Sequence, residues 1–137
     1  VAWEKEKLYL ESWGSEDSEW GKRLKEKNIG TIKYVPNSLT MHSHNYNFKQ
    51  LYARKFIEGE ADYFIYKKMP SLIELLKGMI RRTGSEIVYY IKHKSFLSLA
   101  KIPFRNFVYY YGEYSGLKSA HKRFTNNQKE VVFKNYQ

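Results

Sequence analysis

Cysteine is absent from this 137-residue chain, proline occurs only three times, and no long run of apolar residues interrupts it. The lack of cysteine excludes disulfides, thiolate nucleophiles and cysteine-based zinc or iron–sulfur sites. No uninterrupted apolar stretch approaches the roughly 20 residues that a membrane-spanning helix needs, so we expect no integral membrane association. Glycine-rich phosphate loops and nucleophile-elbow motifs are missing too, and the sequence therefore predicts no cofactor.

Acidic residues become scarce after the first thirty positions. Residues 1–30 contain six Lys or Arg against seven Asp or Glu, whereas residues 31–137 contain 18 against seven, a surplus of 11 positive charges. A surplus of this size attracts a polyanion, because each neutralised phosphate releases condensed counterions whatever the base sequence. Nucleic acid is therefore the expected partner.

Aromatic residues are abundant, with 13 Tyr, eight Phe and three Trp in a chain that is 42% hydrophobic. Disordered chains lack such residues, so we expect one ordinary domain with a Tyr- and Phe-rich core.

The apolar spacing predicts an all-α fold in two parts. Residues 1–45 are predicted to comprise a helix–turn–helix arm from Trp3 to Asn28 and an extended connector over 29–45, with Ser15 as the N-cap of the second helix and Gly30 as its stop. Residues 46–137 are predicted to form a basic antiparallel four-helix bundle.

Within the bundle, apolar residues recur at steps of three and four after Pro70 and again after Pro103. The tract Gly84-Ser85-Glu86 is expected to end one helix and cap the next, and Gly112 and Gly116 to loosen the last helical segment. The alternative is an α/β fold, because three tracts rich in aromatic or β-branched residues suit strands equally well. These tracts are 63–66, 87–91 and 107–111.

Basic residues recur along the chain, many as adjacent pairs beside the apolar stripes. Any single basic pair could simply belong to a solvent-exposed helix face. An ordinary soluble surface, however, mixes acidic with basic residues, and the shortage of acids makes this explanation weaker for the whole set of pairs. No RNA-recognition signature is present, so base-specific reading is not indicated. The candidate DNA-binding residues are Lys22, Arg23, Lys25, Lys27, Lys33, Lys49, Arg54, Lys55, Lys67, Lys68, Arg81, Arg82, Lys92, Lys94, Lys122 and Arg123.

The arm contains all three tryptophans, Trp3, Trp13 and Trp20. Two short helices offer little local core for them, so we expect these residues to bury apolar surface against a neighbouring subunit.

Two tracts resemble parts of nuclease sites. His42 and His44 are similar to the His-x-His metal ligands of rolling-circle replication nucleases, but Ser43 replaces the bulky residue of that family and no third ligand is near. Residues 86–111 resemble nucleases with a Glu-x-Lys strand, yet Tyr90 stands where the acid is required. A metal site of that class needs at least two carboxylates. We therefore predict no enzymatic activity and no bound metal, and keep a nuclease, active or degenerate, as an alternative.

The order of a near-neutral helical arm, a connector and a basic helical bundle resembles the major coat proteins of filamentous archaeal viruses, of the rudivirus and lipothrixvirus kind. The resemblance covers almost the whole chain and rests on organisation, size, charge and aromatic content. It implies a structural protein that wraps double-stranded DNA without sequence specificity, pairs as a homodimer or heterodimer with other coat subunits, and polymerises into a helical virion after assembly in the host cytoplasm. Contact with an envelope is compatible with it.

A DNA-binding regulator is the competing interpretation, with residues 15–28 as the recognition helix. Four acidic residues in that segment make it poorly suited to the major groove. Electron micrographs with long DNA distinguish a filament from a discrete complex.

Overall fold

The structure, a computed structural model, describes residues 2–7, 15–38 and 45–126. All regular elements in these ranges are helices, which confirms the all-α prediction. The three tracts that also suit strands, 63–66, 87–91 and 107–111, each lie inside an α-helix. The chain divides into two compact units, Val1–Asn45 and Tyr46–Gln137.

The first unit contains a short helix α1, Ala2–Lys5, and a longer helix α2, Glu16–Glu26. Ser15 occupies the predicted N-cap position, but it has φ 57° and its side chain makes no capping hydrogen bond. Acidic side chains in the first turn of α2 complement the helix dipole there.

The predicted end of α2 at Gly30 is wrong. Lys27 is the C-cap residue, and Asn28 takes the left-handed conformation (φ 53°) that ends the helix. Asparagine tolerates this conformation better than most residues, so the chain turns before it reaches the glycine. Residues 29–38 then form neither helix nor strand, as predicted for the connector, and residues 39–44 lie outside the described ranges.

The second unit contains three long helices, α3 (Phe48–Tyr66), α4 (Leu72–Lys92) and α5 (Ile102–Thr125), and a 3-10 helix, Phe96–Lys101. These are four helical segments, as the bundle prediction expects, although one of them has only six residues.

Capping boxes fix the starts of α3 and α4. The Asn47 side chain accepts a hydrogen bond from the Gln50 backbone N–H at 2.9 Å, and the Gln50 side chain accepts one from the Asn47 N–H at 3.0 Å. Ser71 and Glu74 make the same reciprocal pair at the start of α4. Each box satisfies backbone donors that the first turn leaves unpaired. Pro103 lies in the first turn of α5, where its missing N–H costs nothing.

The predicted helix break at 84–86 is wrong, because α4 runs through it without interruption. Gly84 inside a helix costs only about 1 kcal/mol relative to alanine. The Ser85 hydroxyl donates to the Arg81 carbonyl at 3.0 Å inside the helix instead of capping a new one. The chain leaves the helix at His93, and Lys94 has φ 56°.

Helices α3 and α5 run parallel. Near their starts, the rings of Phe48 and Phe104 lie 4.7 Å apart. Near their ends, the Tyr63 hydroxyl lies 2.7 Å from Nδ1 of His121. The same order along both helices defines the direction.

Helix α4 runs antiparallel to α5. Asn106, early in α5, donates to Glu86, late in α4, at 3.1 Å, whereas Tyr114, late in α5, lines a groove with Leu72 at the start of α4. The three long helices therefore alternate in direction along the chain, and α5 packs against both of the others.

Glycines bring α3 and α5 together, so the prediction that Gly112 and Gly116 loosen this segment is wrong. Both are buried. A β-carbon at Gly116 would overlap the Phe56 carbonyl oxygen, and one at Gly112 would lie 2.9 Å from the Tyr52 carbonyl oxygen. Gly59 of α3 contacts the α5 backbone in the same way. The glycines permit a close approach that any side chain prevents.

The core lies along this α3–α5 contact. Tyr63, Leu117 and Ala120 are buried together, and Met69 and Phe124 pack against them. By contrast, none of the 21 residues of α4 is buried.

Candidate nucleic-acid interface

Three predicted DNA-binding residues of the first unit are paired with acids inside that unit. The Arg23 guanidinium bonds Glu19 at 2.9 Å and also bonds Glu6, and Lys27 Nζ lies 2.7 Å from Glu6. Lys22 Nζ lies 3.6 Å from Glu26. The hydrogen bonds from Lys27 and Arg23 hold the pKa of the Glu6 carboxyl below its ordinary value.

Helix α3 places two further candidates on one carboxylate. Arg54 Nε lies 2.8 Å from Glu58, and Lys55 bonds the other oxygen of Glu58. Burial acts to lower the pKa of Lys55, but its hydrogen bond to Glu58 and the neighbouring Tyr109 raise it overall. Lys55 also lies 4.1 Å from the centre of the Tyr109 ring.

Arg82 and Arg105 share the carboxylate of Glu86 between α4 and α5. The distances are 3.1 Å from Arg82 Nε and 2.9 Å from Arg105. Burial acts to raise the pKa of Glu86, but the hydrogen bonds from Arg105, Asn106 and Arg82 lower it overall. Arg82 also lies 4.0 Å from the Tyr109 ring centre.

Arg123 of α5 pairs with Glu60 of α3, which is only 2% exposed. One oxygen of Glu60 accepts from Arg123, and the other is buried without a hydrogen-bond partner. The positive charge of Arg123 is what makes burial of this carboxylate tolerable. Lys67 lies 3.3 Å from the centre of the Phe124 ring at the same end of the unit.

The other eight candidates are exposed and form no ion pair within the described ranges. They are Lys25, Lys33, Lys49, Lys68, Arg81, Lys92, Lys94 and Lys122. Five more exposed lysines, Lys5, Lys7, Lys77, Lys101 and Lys118, have the same property and were missed, because the sequence interpretation gave most weight to adjacent basic pairs. They could have been identified by counting every basic residue in the positively charged part of the sequence, whether or not it belongs to a pair.

In the second unit most of these cations lie towards one or the other end of the helices, whereas Lys77 and Arg81 lie inside α4. Because α3 and α5 are parallel and α4 is reversed, Lys68, Lys118 and Lys122 lie at one end. Lys49, Lys92, Lys94 and Lys101 lie at the other end. Helix α3, whose 19 residues connect these two ends, is about 28 Å long at 1.5 Å per residue.

The residues of the two nuclease resemblances lie in different surroundings. His42 and His44 are outside the described ranges. Tyr90 and Lys92 lie on α4, and the 106–110 tract lies on α5, so the strand that the second resemblance implies does not form there. Among the described residues, no three His, Asp or Glu side chains make a group able to hold a metal ion.

The tryptophans are only partly within the described residues. The Trp20 indole N–H donates to the Glu6 carbonyl oxygen at 2.7 Å, and the ring is half-buried. Trp20 therefore has a hydrogen-bond partner inside its own unit, and the burial of its ring against a neighbouring subunit stays a prediction. Trp13 and the side chain of Trp3 lie outside what the structure describes.

An apolar groove runs between α4 and α5 and contains no charged residue. Met79 and Phe107 connect it to a second pocket lined by Ile80, Thr83, Gly84 and Pro103. The lining residues of the groove itself are Leu72, Leu75, Leu76, Met79, Phe107, Tyr110, Tyr111 and Tyr114.

Among the described residues, no helix combines the length and apolar character that crossing a bilayer requires. Comparison with protein-family models, curated proteins and solved structures gave no match to this chain.

Proposed function

We propose that this chain is a structural nucleoprotein that binds double-stranded DNA without sequence specificity and assembles with further copies into a helical filament, as the resemblance to filamentous archaeal virus coat proteins implies. The carrying observation is that, within residues 46–126, the acids are ion-paired, part of a helix cap or partly buried, whereas most of the exposed cations form no ion pair.

All six acidic residues within 46–126 have internal roles or are partly buried. Glu58, Glu60 and Glu86 form ion pairs, and Glu74 belongs to the capping box of α4. Asp62 and Glu113 are partly buried. The exposed charge left over is almost entirely positive, which favours a polyanion.

The type of cation supports contact with phosphates over reading of bases. Among the described residues, twelve of the thirteen exposed cations named above without an ion pair are lysines, and Arg81 is the exception. A lysine ammonium is a compact point charge, whereas the arginine fork is the usual reader of guanine in the major groove. Binding through lysine and phosphate is therefore expected to be independent of base sequence.

The spacing of the cations also suits a duplex. The two ends of the second unit are about 28 Å apart along α3, which is comparable with one turn of duplex DNA, about 34 Å. A unit lying along the duplex axis could contact phosphates at both ends without entering a groove.

The regulator alternative is less well supported. Helix α2 would have to present cations to a major groove, but Lys22 and Arg23 are paired with acids of the same unit. Lys25 alone among the basic residues of this helix has no ion pair in the described ranges.

Electron microscopy of the chain with long duplex DNA tests the proposal. We expect regular filaments on duplexes of unrelated sequence. Discrete particles at one site, or bare DNA, would contradict it.

Variants that remove positive charges test which basic residues contribute to DNA binding. Lys92→Gln with Lys94→Gln removes two unpaired charges and should weaken DNA binding and flatten its salt dependence by about one unit of slope per lost phosphate contact. Lys22→Gln with Lys27→Gln is the matched control, because it removes the same charge from two lysines that are paired with acids. Equal losses in the two double variants would show that only net charge matters.

A further inference from the structure

We infer that the apolar face of α4 and α5 binds the same face of a second copy of this chain. This inference deepens the proposed function, since it names the surface through which subunits would associate. The apolar face is defined here by seven residues whose side chains are all more than half exposed. They are Leu72, Ile73, Leu76, Ile80, Phe104, Phe107 and Tyr111.

The face is too large for an isolated chain. A half-exposed large apolar side chain presents about 100 Å², so seven present on the order of 700 Å². The largest apolar patch of a typical monomer covers about 300–600 Å². The excess indicates that the face is covered when the protein functions.

The area fits a contact between two copies. A stable protein interface buries about 800 Å² on each partner. In a two-fold contact the same patch serves both sides, so two copies together would bury on the order of 1,400 Å², within the standard range. No surface beyond the apolar face is needed to reach that size.

The chemistry of the groove and of the adjoining pocket disfavours DNA, a polyanion, as their occupant. None of the residues lining the groove or the adjoining pocket is charged. The unpaired cations line neither the groove nor the pocket. The rings of Phe107 and Tyr111 are stacked in parallel within this face, with their centres 5.7 Å apart and their planes at 4°.

The internal contacts of α4 are consistent with this arrangement. Its polar attachment to α5 runs through Thr83, Glu86 and Asn106, where the Asn106 amide donates to both partners at 3.1 Å. Leu76 and Ile80 take no part in that attachment and stay 53% and 67% exposed. A partner could therefore cover them without displacing α4 from its own unit.

Sedimentation velocity of the full chain, without DNA and in about 0.5 M salt to screen charge repulsion, tests the inference. We expect a dimer with a dissociation constant in the micromolar range or tighter, as for other interfaces of this size. Leu76→Glu with Ile80→Glu should raise that constant at least about 100-fold by burying unpaired charges. Ser85→Glu adds a charge to a polar, exposed position of the same helix and should leave the dimer intact.

Each possible result either supports or overturns the inference. A wild-type chain that stays monomeric overturns the inference, and binding of that monomer to neutral lipid vesicles would assign the face to a lipid surface instead. If the double variant loses its helical circular dichroism, Ile73→Gln in the first turn of α4 replaces it, and an unchanged dimer in that folded variant also overturns the inference. A dimer that fails to bind DNA would refute the proposed function alone, whereas a monomer that binds DNA would refute this inference alone.

Discussion

The two sides of α5 pack in contrasting ways. Against α3, buried glycines bring the backbones together, a buried ion pair crosses the contact, and the core lies between the helices. Against α4, aromatic rings and a polar cluster make the contact, and no residue of α4 is buried. The first contact is complete within one chain. The second leaves an apolar surface that a partner can cover, so the same helix serves both the fold and, in our proposal, the assembly.

The two contacts of α5 should differ most in how much stability is lost when the ion pair that crosses each of them is removed. Arg123→Met leaves Glu60 buried without a cation and should lower the free energy of unfolding by about 3 kcal/mol. Arg105→Met is the matched change on the α4 side. It should cost about 1 kcal/mol or less, because the Arg105 side chain is 43% exposed and Arg82 still pairs with Glu86. Urea unfolding followed by circular dichroism measures both, and equal costs would show that the two contacts are not different in kind.

Replacing glycines should have the next largest effect on the free energy of unfolding. Gly116→Ala forces a β-carbon onto the Phe56 carbonyl and should lower the free energy of unfolding by about 1–3 kcal/mol. Gly84→Ala in α4 meets no atom within 4 Å and should raise it by about 0.5–1 kcal/mol through helix propensity. The same urea titrations report both values. A stabilising Gly116→Ala would mean that α3 and α5 do not approach closely.

The smallest effects are pH-dependent and differ in sign between the two sides. On the α3 side, burial and the like charges of Asp62 and Glu58 raise the pKa of Glu113 above 4.5. The ionised form therefore costs stability at neutral pH, and the cost is relieved as the pH falls through the folded-state pKa towards 4.5. On the α4 side, the pKa of Glu86 is lowered below 4.5. Its contribution is present above pH 4.5 and is lost as the pH falls through the folded-state pKa.

Replacing each glutamate with the uncharged, similarly shaped glutamine measures the sign of its contribution to stability. At pH 7, Glu113→Gln should raise the free energy of unfolding and Glu86→Gln should lower it. The advantage of Glu113→Gln should shrink as the pH falls towards 4.5, whereas the deficit of Glu86→Gln should shrink only below that pH. Thermal unfolding at a series of pH values follows both, and shifts of the same sign would refute the contrast.

The local elements of this fold were largely readable from the sequence. Helical periodicity predicted the helices of the second unit, and the capping boxes at Asn47 and Ser71 were readable as an Asn-x-x-Gln and a Ser-x-x-Glu pattern, although the sequence interpretation overlooked them. The helix stop predicted at 84–86 was wrong because glycine is only a weak breaker when side chains on both sides of it make helical contacts.

Features that depend on which helices pack together could not be predicted from the sequence. Gly112 and Gly116 look like sources of flexibility until α3 is known to lie against them. Pairs four residues apart, such as Arg54 with Glu58, follow from helical spacing, but the pairing of Glu60 with Arg123 joins distant positions. An apolar stripe such as that of α4 usually predicts burial, and its exposure appears only in the folded chain.

The salt dependence of DNA binding tests the central claim most directly. Fluorescence anisotropy of labelled duplexes of unrelated sequence, measured over a range of salt concentrations, should give equal affinities and a log–log slope of about −4 or steeper if roughly five or more phosphates are neutralised per subunit. A flat response to salt, or a strong preference for one short sequence, would contradict the account.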